Sequence, residues 1–171
     1  MVNVQSSRRM VALMVLAVVG AAISIYLTSV HYENVPLVCS TEGFVDCARV
    51  ISSVYSVVPG TAIPVTVPGL LWFIVAGVLA FVAWRVAPQR RDVVIGLFAW
   101  SLLGMLSVFY LVYAEIVRLH TLCVWCTGIH VIILAIFLIS IFQLYQGKPE
   151  EEEQYENDDE ERQSSMPMAE R

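Results

Sequence analysis

Apolar residues dominate four long runs of the chain, and they are nearly absent from its last stretch. The runs cover about residues 10–30, 68–86, 93–117 and 123–144. Each comes close to the roughly 20 residues a helix needs to cross a bilayer. "VALMVLAVVGAAISIYL", "GLLWFIVAGVLAFVAW", "VVIGLFAWSLLGMLSVFYLVYA" and "IHVIILAIFLISIF" carry almost no charge. The pattern predicts an all-α membrane protein, a bundle of four transmembrane helices. Between the first two runs, "VDCARVISSVYSVV" sets Val50, Ile51, Val54, Tyr55 and Val58 at helical spacing behind Asp46, a good N-cap. A short amphipathic helix is therefore expected in that loop. Pro59, Gly60, Pro64, Pro68 and Gly69 break the chain before the second span, and Pro68 suits a first helical turn.

Composition agrees: 58% of the 171 residues are hydrophobic and the mean hydropathy is +0.72, far above a soluble domain. The formal net charge of −5 comes mostly from "KPEEEEQYENDDEERQSSMPMAER". Blocks of like charge without an apolar period predict disorder. The expected organisation is a four-helix membrane domain over 1–147 and a disordered acidic tail over 148–171. The first run outlasts a signal-peptide core of roughly 7–15 residues, so it is expected to remain as a span. The expected surroundings are the lipid bilayer, with no nucleic-acid partner.

Positive charge sets sidedness. Arg8 and Arg9 precede the first run, Arg85, Arg90 and Arg91 separate the second and third, and Lys148 follows the fourth. Only Arg49 and Arg118 lie in the alternate segments. Both termini are then cytoplasmic, and two loops, 31–67 and 118–122, face out. All four cysteines fall on the outer side, where disulfides persist: Cys39 and Cys47 in the long loop, Cys123 and Cys126 in "LCVWC" at the mouth of the last span.

With Thr121 as N-cap and a helix from Leu122, Cys123 sits in the first turn, where free N–H groups and the helix dipole favour a thiolate. Cys126 lies one turn deeper on the same face. Helical i,i+3 Cβ atoms are about 5–6 Å apart, whereas a disulfide wants about 3.8 Å. A bridge there distorts the turn and is easily reduced, as suits an exchanging pair. Such a dithiol meets aqueous thiols above and lipid-soluble oxidants below, and a quinone is the obvious two-electron acceptor. Two structural disulfides stapling a membrane scaffold without turnover would use the same cysteines. A four-cysteine zinc site fits poorly, because Cys39 and Cys47 lack C-x-x-C spacing, and no metal is expected.

"SIYLTSVHY", "CSTEGFVDCARVISSVY", "IPVTVPGLLWF" and "LCVWC" together resemble the vitamin K epoxide reductase family in its prokaryotic branch, over roughly residues 24–142. Bacterial disulfide-bond B proteins share the four-helix, quinone-coupled logic but carry their C-x-x-C in the first outer loop; here it comes last. The resemblance implies a four-helix bundle around a quinone of menaquinone, ubiquinone or phylloquinone type. It implies that Cys39 meets a partner's thiol, Cys47 exchanges with Cys123, and Cys126 reduces the quinone. Ser53, in the Ser–Ser step after Cys47, matches the family's active-site serine.

Vertebrate members place a tyrosine where this chain has His130, and an asparagine before span 2 where it has "VTVPG". The resemblance therefore implies quinone reduction rather than epoxide reduction. Many bacterial relatives carry a fused thioredoxin-like domain; the acidic run here leads to the expectation of a separate extracytoplasmic thioredoxin-like partner, reoxidised for disulfide formation. His130, one turn below Cys126, reads as a hydrogen-bond donor to a quinone oxygen or a proton relay, or as a polar residue bonded to a neighbouring helix. Trp125 reads as a contact for the quinone ring. Trp72, Trp84 and Trp100, like His31, His120 and Arg118, read as interfacial anchors. Glu115 is spaced to pair with Arg118 at i,i+3.

Overall fold

The computed structural model describes residues 2–33, 38–39, 43–85 and 91–146. Arg90, Lys148 and the acidic run over 148–171 lie outside the described residues. The elements are α1 (Val2–Glu33), α2 (Cys47–Ile51), a 3-10 turn (Val54–Ser56), α3 (Thr66–Arg85), α4 (Arg91–Tyr113) with a π-helical extension (Ala114–Leu119), and α5 (Val124–Gln146). No strand occurs among the described residues, which contain only two isolated bridges, Val45–Leu122 and Val57–Pro64. Four helices are long and apolar enough to span a membrane: Ser7–Glu33, Thr66–Arg85, Arg91–Leu119 and Val124–Tyr145. Helices answer the lipid environment because they satisfy every backbone polar group within the segment. The chain is a multi-pass membrane protein.

Small residues, spaced among larger ones, mark the faces on which the spans meet. On α1 the buried positions are Met10, Leu13, Ala17, Gly20, Ser24, Leu27 and Val30, at steps of three and four. On α3 they include Phe73, Ala76, Ala80 and Ala83, and on α4 Leu97, Ser101, Gly104 and Val108. Large residues such as Val18, Leu71, Leu106 and Phe142 point outward. Small residues let backbones approach, and close packing drives association where lipid removes the hydrophobic incentive. Ser101 and Ser140 donate to the Phe98 and Ile136 carbonyls, each at 2.8 Å, so their burial leaves no idle hydroxyl.

Two tryptophans expected at the membrane interface instead join α3 to α4. Trp72 Nε1 donates to the Trp100 carbonyl at 3.2 Å and Trp100 Nε1 to the Trp72 carbonyl at 3.1 Å. Trp72 is buried because Gly104 leaves room for its ring; a Cβ at position 104 would run into that ring. Gly104→Ala is therefore expected to cost about 1–3 kcal/mol by overpacking, read as a lowered thermal midpoint in detergent. An unchanged midpoint would mean that the Trp72 ring is not locked. At the opposite end Trp84 Nε1 donates to Ser7 Oγ at 3.0 Å and stacks under Arg85, in keeping with an interfacial anchor.

Candidate functional site

The site begins with a long-range clasp. Leu122 N–H donates to the Phe44 carbonyl at 2.9 Å, Asp46 N–H to the Leu122 carbonyl at 3.1 Å, and Thr121 Oγ1 to the Phe44 carbonyl at 3.1 Å. Gly43 turns the chain into this clasp with φ +63, a value glycine adopts without steric cost. Since Asp46 precedes Cys47 and Leu122 precedes Cys123, the clasp brings the two cysteine segments side by side. Cys47, Val50 and Cys123 are buried together, with Cys39 and Cys126 packed against them. Cys39 and Cys47 form a disulfide; Cys123 and Cys126 are free thiols.

The loop helix is shorter than its apolar spacing predicts. Asp46 does cap it, accepting Arg49 N–H at 3.0 Å, but α2 ends at Ile51. Ser52 Oγ returns to the Ala48 carbonyl at 2.8 Å and Ser53 Oγ to the Val50 carbonyl at 2.7 Å. Ser53 takes an extended backbone and caps the 3-10 turn instead, accepting Tyr55 N–H at 3.3 Å. Serine hydroxyls that offer the backbone an alternative to helical bonding explain the break. Val54, expected on the apolar face, is consequently 79% exposed, so the expected amphipathic helix is replaced by one turn of α-helix and one of 3-10.

The last span also starts later than the sequence suggests. α5 opens at Val124, and Cys123 occupies the cap position that Thr121 was expected to fill. The Cys126 N–H points at Cys123 Sγ at 3.4 Å, so the sulfur itself meets a free N–H of the first turn. Thr121 is spent on the clasp. The adjacent Cys126 thiol holds the Cys123 thiol below the usual thiol range; burial opposes this, and backbone N–H groups of the first turn add to it. The low-pKa member of the pair is thus the one beside Cys47.

Below the thiols lies a cavity with apolar walls from Leu27, Val50, Ile51, Leu111 and Leu119. Its polar groups include Cys126, His130, His31, Ser53, Tyr55 and Glu115. Of the residues singled out from sequence, Cys126, His130 and Ser53 therefore share one cavity, and Cys39, Cys47 and Cys123 sit in the cluster above. Trp125 is not brought into the cavity. One residue round the helix from Cys126, it donates from Nε1 to the Val38 carbonyl at 3.0 Å and packs on Tyr26 with ring centroids 5.1 Å apart. Its indole fastens the segment before Cys39 to α1.

Arg118 and Glu115 do not form the expected helical pair. Through the π-helical segment Ala114–Leu119 the two side chains diverge. Arg118 is exposed and donates from Nε to Tyr55 Oη at 2.8 Å, whereas Glu115 is 4% exposed. Its carboxyl lies on the side of Cys123 and Cys126 and borders the same cavity as Cys126. Sequence reasoning passed over Glu115 as a surface partner of Arg118. The signal that marks it is an acidic residue in an otherwise apolar span, which is costly unless used. His31, read as an anchor, likewise turns into the cavity.

An oxidised outer pair, a reduced inner pair and an apolar cavity with histidine and hydroxyl donors beneath suit two-electron transfer from thiols to a flat apolar acceptor. Among the described residues no group of three or more His, Cys, Asp or Glu could hold a metal ion. No curated protein matches the chain. The profile of the vitamin K epoxide reductase family matches residues 11–141, a stretch that takes in all four cysteines and most of every span. That match covers well over half the sequence, and with it the protein belongs to the vitamin K epoxide reductase family.

Proposed function

We propose that this membrane oxidoreductase withdraws electrons from a thioredoxin-like protein outside the cytoplasm and delivers them to a membrane quinone. The observation that carries the reading is the stacking of an oxidised pair, Cys39–Cys47, on a free pair, Cys123 and Cys126, whose deeper member alone lines the cavity. The arginine distribution supports an extracytoplasmic position for this end and cytoplasmic termini. A quinone held beside Cys126, His130 and Ser53 would supply a two-electron, two-proton acceptor.

The chain's own groups divide the remaining work. Cys39, next to the exposed Val38, is the sulfur that an incoming thiolate attacks, and Cys47 leaves. Cys47 then attacks the Cys123 sulfur of the oxidised Cys123–Cys126 pair, and the lowered pKa of Cys123 suits it to leave in its turn when Cys39 re-forms its bridge with Cys47. That exchange frees Cys126 at the top of the cavity. His130 offers a ring N–H to an acceptor oxygen, and Ser53 can do so by releasing the Val50 carbonyl. The Arg118–Tyr55 hydrogen bond ties the 3-10 turn to the end of the third span and holds that wall in place. The test is quinone reduction by the purified protein with a reduced thioredoxin-fold protein as donor. Stoichiometric loss of donor thiols with quinol formed supports the reading; bridges that resist mild reductant, with no quinol formed, would leave a stapled scaffold.

A further inference from the structure

We propose that Glu115 is the base that takes the proton of the Cys126 thiol when this dithiol is oxidised, an inference that rests on the quinone-reducing reading above. The position is built for one task. The π-helical segment places Glu115 inward, and His120, in the left-handed conformation at φ 51, ends that segment. The N–H groups of His120 and Thr121 both return to the Glu115 carbonyl. The backbone of Glu115 is thus pinned from the connection that leads into Cys123. Its carboxyl lies near the Cys123 N–H and the Cys126 thiol, and it borders the cavity that Cys126 and His130 share. Arg118, the cation nearest in sequence, is turned outward to Tyr55. A buried carboxyl among apolar spans is expensive, and structural pairing with Arg118 does not account for it.

Oxidation of the dithiol forms one S–S bond, breaks two S–H bonds and passes two electrons to the quinone, whose two oxygens take up two protons. A thiolate, not a thiol, is the nucleophile, so the Cys126 proton must leave before sulfur reacts. Glu115 as carboxylate accepts that proton; as carboxylic acid it returns it across the cavity, along a wall that carries His130 and His31, and it ends the cycle ionised. The titratable groups that face it are Cys123, Cys126 and His130 from α5 and its cap, His31 from α1 and Tyr55 from the 3-10 turn; α3 contributes only hydroxyl and apolar groups.

The test is Glu115→Gln, which keeps the volume and the polarity but cannot take up a proton, with Glu115→Asp as a second variant. Quinone reduction is driven by a small permeant dithiol and followed against pH. The parent should lose rate on the acidic side as the carboxylate protonates. Glu115→Gln should be slower at neutral pH by at least about a hundredfold, the lower end of general-base contributions. It should lack the acidic limb and recover toward high pH, where the thiol ionises unaided; Glu115→Asp should recover part of the rate. A second readout needs no turnover: the reduced-minus-oxidised infrared difference spectrum of the inner pair should contain a carboxyl band that disappears in Glu115→Gln. A parent that reduces no quinone overturns the functional reading, while the infrared band still decides whether Glu115 exchanges a proton with the pair. A parent that turns over, with Glu115→Gln equal to it at every pH and identical in its infrared difference, overturns the role of Glu115.

Discussion

Cys126→Ser is expected to abolish quinone reduction with every thiol donor, and Cys123→Ser to do the same. Serine keeps the size and removes the group that ionises and exchanges, so the residual rate should fall to the uncatalysed background. The loop pair should behave differently. Cys39→Ser or Cys47→Ser should stop turnover with a protein donor, because a folded partner reaches only the outer pair. A small permeant dithiol should still drive the inner pair directly, at a substantial fraction of the parent rate. This split follows from the geometry: Cys126 lines the cavity while Cys39 and Cys47 lie in the cluster above it. Equal loss with both donors in all four variants would replace the relay by a single four-cysteine unit.

The membrane architecture was plain in the sequence because four uncharged runs of spanning length admit few other folds. Which side of each helix faces its neighbours was not, since lipid-facing positions are as apolar as the core. The information lies in small residues spaced among larger ones, in the series Ala17, Gly20 and Ser24 set against Phe73, Ala76 and Ala80, and a reading of polarity alone passes over it. C-x-x-C and the loop cysteines were recognisable as two pairs. Their juxtaposition depends on the bridge between Val45 and Leu122, which no local pattern announces.

Where local reasoning failed, a side chain had competed with the expected backbone pattern. Ser52 and Ser53 ended α2 by bonding back to carbonyls. The Cys123 sulfur took the place of a capping hydroxyl. The π-helical segment at Ala114–Leu119 changed the facing of Glu115 and Arg118, so that i,i+3 arithmetic, sound for an α-helix, paired two residues that point apart. All three departures lie within the cysteine end of the bundle, whereas α3, remote from exchange chemistry along most of its length, begins and ends within two residues of the apolar run that predicted it.

His130→Phe is expected to slow quinone reduction at least about tenfold while leaving thiol–disulfide exchange at Cys39–Cys47 near the parent rate. His130 lies one helical turn from Cys126, and both border the same cavity, so an acceptor within reach of the thiol is also within reach of the imidazole. As electrons arrive from sulfur, negative charge grows on an acceptor oxygen, and a fixed N–H donor in a low-dielectric pocket stabilises that charge without reorganising. Loss of one such donor costs roughly 2.7–4 kcal/mol in enclosed oxyanion sites. The more modest tenfold floor allows for Ser53 or His31, on the same cavity, to take over part of the role. Phenylalanine preserves bulk and the packing of α5; tyrosine restores a donor at greater reach, so His130→Tyr should recover part of the lost rate. Each variant is compared at saturating donor, with quinol formation and loop-disulfide reduction measured separately. A His130→Phe protein with parent-like quinol formation would reduce His130 to a packing residue and shift the search for the oxygen-holding group to Ser53, whose hydroxyl would then have to release the Val50 carbonyl to do the work.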